Sequence, residues 1–305
     1  MNAHLIKLTL QLLSCSQQQL ATMLSVSPTQ ITKWKQNEYM SIEMEEKIRE
    51  LIDIGTLNPI FILSFLSTEK AKNWIELIIA ITRKVEKEYN NQLPHLSNQE
   101  IETITAQFLE TLYDLNYPLP IPYPDKLDNF IQDDSDIRCD LLNEWTENND
   151  FCTLIHQFFS SFLHTHSFYT EHIENIQDTF PNSPLSDAIA ELKVQIIHLS
   201  IINSHSILQS LPSFNEYQYR TQESCTNLLN YIKKETFKRH FFLEVELMDL
   251  LNNSSPNLEQ NAQHTPEKQH PDIYMDEILQ HMRFMRTALT AILEKLEIDI
   301  PKTLY

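Results

Sequence analysis

The sequence predicts an all-α protein: a short N-terminal helical unit, residues 1–55, followed by a larger all-helical domain, residues 56–305. Three observations point there. Gly55 is the one glycine in 305 residues, where ordinary usage of about 7% would supply about twenty. The Asn-Gly and Asp-Gly turns of tight hairpins are therefore absent. Apolar residues recur at i, i+3, i+4 and i+7 through most of the chain, and Pro, Asn and Ser clusters punctuate those runs. The glycine count also excludes functions: a G-x-x-x-x-G-K phosphate loop, a G-x-G-x-x-G dinucleotide turn and a G-x-S-x-G nucleophile elbow cannot be built here.

In order, Leu5, Leu8 and Leu12 predict a first helix over residues 3–13. Ser16 with Gln19, and Ser27 with Gln30, are S-x-x-Q capping boxes that mark two helix starts eleven residues apart. Pro28 suits a first helical position, where a missing N–H costs nothing. A turn at Ser25, Val26 and Ser27 separates the two helices. Ser41 can cap a fourth, with Met44, Ile48, Leu51 and Ile52 on one stripe and Glu45 facing Arg49. Gly55 is placed to end it in the left-handed conformation.

The apolar stretch 56–66 is expected to pack between domains. Thr68 is placed to cap a helix running to about residue 89, and Ser97 with Glu100 forms a third capping box. The alternating prolines of residues 117–125 predict an extended strut. Helices are expected over 126–147, 151–176, 185–211 and 214–251. Residues 252–271 have the composition of a disordered loop. A final helix over 272–296 carries a Met/Leu stripe that can close a core or join two copies.

The stretch from Ser16 to Gln36 carries the functional signal. Leu20 and Leu24 share one face of its first helix, Ile31 and Trp34 one face of its second, and Val26 fills the angle between them. Through Gln17, Leu20, Ala21, Leu24, Val26, Ile31 and Trp34 it resembles the helix-turn-helix of the Cro/phage-repressor (XRE-like) class. Ser25 stands where that class has glycine, so a left-handed serine costing about 1 kcal/mol is expected. The resemblance covers residues 1–55 and implies a DNA-binding transcriptional regulator of prokaryotic or phage type. The helix starting at Pro28 would then enter the major groove of double-stranded DNA. Thr29, Gln30, Thr32 and Lys33 would reach the base edges, with Gln36 on the same DNA-binding face. Gln17 would sit on a phosphate, and Lys35, Asn37 and Tyr39 on the backbone. One motif per chain implies a homodimer, with reading helices about 34 Å apart.

Net charge is −19, made of +3 on residues 1–37 and −22 on residues 38–305. Such a body repels nucleic acid, so DNA binding is confined to the N-terminal end. The thin positive charge also leaves open a helical adaptor that contacts protein instead of DNA.

The four scattered cysteines lack a C-x-x-C pair and read as reduced thiols of a cytoplasmic protein. No stretch reaches the roughly 18 apolar residues of a membrane span. The His-rich segment 152–172 does not converge on metal-ligand spacing and reads as core and surface histidines, as do His198 and His205. Lys233, Lys234, Lys238, Arg239 and His240 read as a solvated basic face. No cofactor and no enzymatic activity are expected. The larger domain is left with a role in dimerisation or in sensing an unidentified ligand or protein partner.

Overall fold

A computed structural model of the chain describes residues 2–89, 93–122, 124, 135–204, 206–241, 243, 245–253, 282–289, 292 and 295. Their regular structure is all helix, without a strand. The chain divides into two units, Met1–Pro256 and Asn257–Tyr305.

The first unit opens with α1 (Asn2–Leu12), α2 (Gln17–Leu24), α3 (Pro28–Lys35), α4 (Ile42–Leu51) and α5 (Pro59–Phe65). Side-chain caps set their starts. Ser16 and Gln19 form a full capping box, whereas Ser27 accepts from the Gln30 N–H without a reciprocal bond. Ser41 caps α4, and Asn58 caps α5 ahead of Pro59. Arg49 pairs with Glu45 at 2.9 Å, as the spacing implies. It also donates to the Gly55 and Leu57 carbonyls, tying the end of α4 to the approach to α5.

The remaining helices are α6 (Thr68–Glu88), α7 (Asn98–Asp114), α8 (Ser135–Asn148), α9 (Asp150–His172), α10 (Glu174–Thr179), α11 (Pro184–Ile202), α12 (Ser206–Gln209), α13 (Phe214–Lys238) and α14 (Asp249–Asn253). At their centre is α9, which packs against α6, α8, α10, α11 and α14. Its apolar residues cover about half of the helix's circumference, a broad core-facing side: Phe151, Leu154, Ile155, Phe158, Phe159, Phe162 and Leu163 are all buried. Phe151 meets Trp74 edge-on at 5.2 Å, Trp74 stacks on Phe65 at 5.1 Å, and Phe158 meets Phe108 at 4.4 Å. Buried threonines satisfy themselves on the carbonyl four residues back, as Thr82 does on Ile78 and Thr165 on Ser161. Glu86, almost fully buried, is held by Arg83, His95 and the Leu96 N–H.

Several boundaries differ from the sequence reading. Ser67, not Thr68, caps α6. The helix expected over 151–176 breaks at Ile173, and the one over 185–211 stops at Asn203. There Ser204 turns its hydroxyl onto the Ile201 carbonyl, competing with further helix. The helix expected over 214–251 ends at Lys238. Within the proline stretch, Ile121 is buried and its N–H donates to Ser64 O at 2.9 Å, so the segment is pinned to α5. The Leu119–Pro120 bond is cis. The loop expected at 252–271 lies outside the described residues beyond 253, as does most of the last expected helix. In the second unit residues 282–289 are helical, with Met282, Met285 and Leu289 exposed.

Helix exits show how the chain manages with one glycine. Six of the described helices end with a left-handed residue whose successor donates its N–H to the carbonyl five residues back, the Schellman arrangement. The left-handed residues are Ser14, Ser25, Asn37, Asp53, Asn116 and His240. Asp53 thus ends α4, not Gly55, which is also left-handed but lies two residues further on. Asn and Asp tolerate this conformation best among residues with a side chain. Ser25 has φ 58° and ψ 40°, the strained serine that the sequence implies. The residues that follow fall back onto the core: Cys15, Val26, Ile54, Tyr117 and Phe241 all pack against it.

Relief of the strain at Ser25 is measurable. Ser25→Gly should stabilise the protein by about 0.5–1 kcal/mol, less than the full strain because glycine has more freedom to lose on folding. A lower urea midpoint for the variant would contradict this.

A second prediction concerns pH. Burial holds His164, His166 and His198 below the usual imidazole range; at His166 the nearby Lys193 adds to it. As pH falls through about 6.5, the unfolded chain takes up protons that the folded chain refuses. Stability from these groups is therefore complete above that pH and declines below it. Urea melts at pH 7.5 and 5.5 should show the decline, and His166→Phe should flatten it.

Candidate nucleic-acid interface

The α2–turn–α3 pair is built from the buried residues Leu20, Ala21, Leu24, Ile31 and Trp34. Its back wall is α1, which packs on α3, α4 and α5 and buries Leu5, Ile6 and Leu8. At 100° per residue, Thr29, Thr32, Lys33 and Gln36 lie opposite Ile31 and Trp34, with Gln30 and Lys35 on the two shoulders. Thr29, Thr32, Lys33, Lys35, Gln36 and Asn37 are exposed and Gln30 is half-exposed. Gln17 is the first residue of α2 and also half-exposed. The structure therefore brings the front of α3 together at the surface and sets Gln17 apart from it on the neighbouring helix.

The individual side chains are committed to different degrees. The Thr32 hydroxyl donates to Pro28 O at 3.2 Å. Lys33 Nζ lies 3.6 Å from the Glu38 carboxylate, both side chains being about half exposed. Asn37 serves the fold directly, because its Oδ1 accepts the Ala3 N–H at 3.0 Å and so caps α1 from outside. Two further bonds fix the same loop. Asn2 Nδ2–H donates to Glu38 O at 3.0 Å, and Trp34 Nε1–H to Tyr39 O at 3.2 Å. Tyr39 itself is highly exposed.

The three N-terminal lysines do not act as one positive patch. Lys7 lies over the Tyr113 ring of α7, 4.1 Å from its centroid. Partial burial, and then Lys35 nearby, hold its pKa below the usual lysine range. On the same side of α1, His4 Nδ1 lies 3.5 Å from Glu110. The His4 ring beside it holds the Glu110 carboxyl below its usual range against the opposing effect of burial. One charge of the N-terminal excess is thus committed to holding α1 to α7.

Asn2 and Glu38 matter to this surface, and spacing does not single them out. Lys33 and Glu38 are five residues apart, beyond the i+3 and i+4 neighbours that a helix brings together. They meet because the chain reverses at Asn37.

Other candidates are accounted for differently. Among the described residues no three metal-ligating side chains converge. His156 Nε2 reaches Glu88 at 2.8 Å, and His164 meets Tyr89 edge-on. In the basic cluster Lys233 pairs with the buried Glu246 at 2.8 Å, while Lys238 and Arg239 both pair with Glu235. Cys15, Cys152 and Cys225 are free thiols, and burial pushes Cys152 and Cys225 up to about 12. No described helix is long and apolar enough to cross a membrane. Comparison with family models, curated proteins and solved structures returned no match.

The double role of Asn37 can be separated by mutation. Asn37→Gly keeps the left-handed backbone but removes the cap on Ala3, which should cost about 1 kcal/mol. Asn37→Ala loses both and should cost about 1 kcal/mol more. Equal urea midpoints for the two variants would remove the backbone part of this account.

Proposed function

We propose that the protein is a sequence-specific DNA-binding regulator of transcription. In this reading residues 1–55 read the major groove and the acidic helical domain dimerises or senses a partner. The observation that carries it is the asymmetry of α3. One side is sealed into the core by Ile31 and Trp34, while Thr29, Thr32, Lys33 and Gln36 stand exposed together on the other. A short helix whose outward face bears Gln, Thr and Lys has the donors, acceptors and methyl groups that base edges call for. Gln17, at the start of α2, would offer its N–H to a phosphate. Two copies would place their α3 helices one helical turn of DNA apart. The reading assigns the chain no catalytic role.

A second reading is an adaptor whose N-terminal helices bind protein. It is favoured by the diversion of Lys7 onto Tyr113 and the pairing of Lys33 with Glu38. Salt separates the two. A DNA complex should weaken with added salt. An adaptor would bind no duplex even at low salt.

The test is a selection from random duplex DNA followed by titration of the selected site. Gln30→Ala with Lys33→Ala should lose at least about tenfold in affinity, since one good base contact is worth about 1–3 kcal/mol. Unchanged affinity would remove α3 from the groove.

A further inference from the structure

We propose that Glu38 is a specificity-determining residue: it withholds Lys33 from guanine and biases the reading face towards A·T base pairs. The inference rests on the DNA-binding reading above and adds what kind of sequence is read.

The exit of α3 departs from the others in one respect. In a Schellman exit the residue after the left-handed position is folded back over the third residue from the helix end, and the two usually make an apolar contact. Leu10 and Cys15 occupy these places on α1, Ala21 and Val26 on α2, and Leu112 and Tyr117 on α7, while Arg49 with Ile54 on α4 and Thr236 with Phe241 on α13 keep the apolar residue at the second place only. On α3 the same places hold Lys33 and Glu38, joined by the Glu38 N–H to Lys33 O bond at 3.1 Å. An ion pair at 3.6 Å takes the position of the apolar contact.

The backbone of the exit thus sets the two residues side by side, with both side chains about half exposed. The loop carrying Glu38 is fixed three times, through Ala3 to Asn37, Asn2 to Glu38 and Trp34 to Tyr39.

The consequence for base reading follows from what is left. Guanine is recognised in the major groove chiefly by Arg or Lys at O6 and N7. Lys33 is the cation on the front of α3, and it is turned to Glu38. Lys35 lies on the shoulder towards Lys7. Thr32 has committed its hydroxyl hydrogen to Pro28 O, so it offers a methyl, which suits the thymine C5 methyl. Gln30 and Gln36 carry amides that suit adenine N6 and N7. The chemistry that remains matches A·T pairs.

The test uses the full-length protein, random-duplex selection and fluorescence titration, with Glu38→Gln, Lys33→Ala and the double variant. Both substitutions are exposed and leave the backbone bonds of the exit in place. The wild type should select A·T pairs under α3. Glu38→Gln should add a guanine preference at one position per half-site and bind about fivefold tighter, as expected from releasing a surface pair of up to about 1 kcal/mol. Lys33→Ala should weaken binding evenly and leave the selected sequence unchanged. The double variant should lack the added guanine. A wild type that already selects guanine through Lys33, or a Glu38→Gln selection identical to wild type, overturns the inference while DNA binding stands. Failure of every form to bind duplex at low salt overturns both.

Discussion

Burial of α1 is the interaction on which the rest of the N-terminal structure depends. Leu5, Ile6 and Leu8 are each nearly inaccessible to solvent, and removing such side chains from water contributes about 1.5–3 kcal/mol apiece. The same helix packs on α3, α4 and α5, and reaches α7 through His4 and Lys7. Its first residues clamp the loop that leaves α3. Residues 1–55 are consequently not a bead on a tether. α3 is thus joined to the larger helical body through one shared wall.

How far the sequence disclosed this can be followed residue by residue. Local signals were legible because they are local. The serine caps of α2, α3, α4 and α7, the buried stripe of α6 and the left-handed Ser25 depend on neighbours within a few positions. Boundaries failed where two short-range preferences competed. Thr68 and Ser67 are both good caps, and Asp53 reaches the left-handed region before Gly55 does. The long helices past residue 150 break at Ile173, Asn203 and Arg239; the Ser204 side-chain bond intervenes after Asn203 and a left-handed His240 after Arg239, whereas no side-chain cap marks the break at Ile173. The surface itself was legible as a helical face. Its internal commitments were not. Lys7 on Tyr113 spans more than a hundred residues, and Lys33 on Glu38 depends on a chain reversal that no periodicity encodes.

The single glycine organises much of the remainder. A helix that must turn back onto its own core needs a left-handed residue at its end. Without glycine, this chain supplies Ser, Asn, Asp and His, each with some backbone strain. The compensation is the apolar residue that follows, which packs on the core in five of the six exits. Each exit thereby balances a cost of about 1 kcal/mol against the burial of one side chain, a contribution of similar or larger size. The sixth exit, after α3, forgoes the apolar residue. Glu38 stays at the surface, and the stabilisation there comes instead from the hydrogen bonds of Asn2, Ala3 and Trp34. A helix end that gives up burial in this way keeps its outward side polar, and that side is the one the proposed function uses.

Charge sets the remaining constraint on the proposed reading. The body carries −22 and repels a polyanion, while the N-terminal excess is reduced by the lysine held on Tyr113 and the one paired with Glu38. Phosphate attraction alone, which dominates non-specific binding, is therefore weak here. Affinity for a duplex would have to come from base-edge contacts, from backbone N–H groups at the start of α2 and from engaging two half-sites at once. Linking two sites raises apparent affinity through effective concentration without any new contact. A weakly cationic reader of this kind loses little of its binding energy to random DNA. In the proposed function, pairing two copies would supply what the thin positive charge of one copy does not.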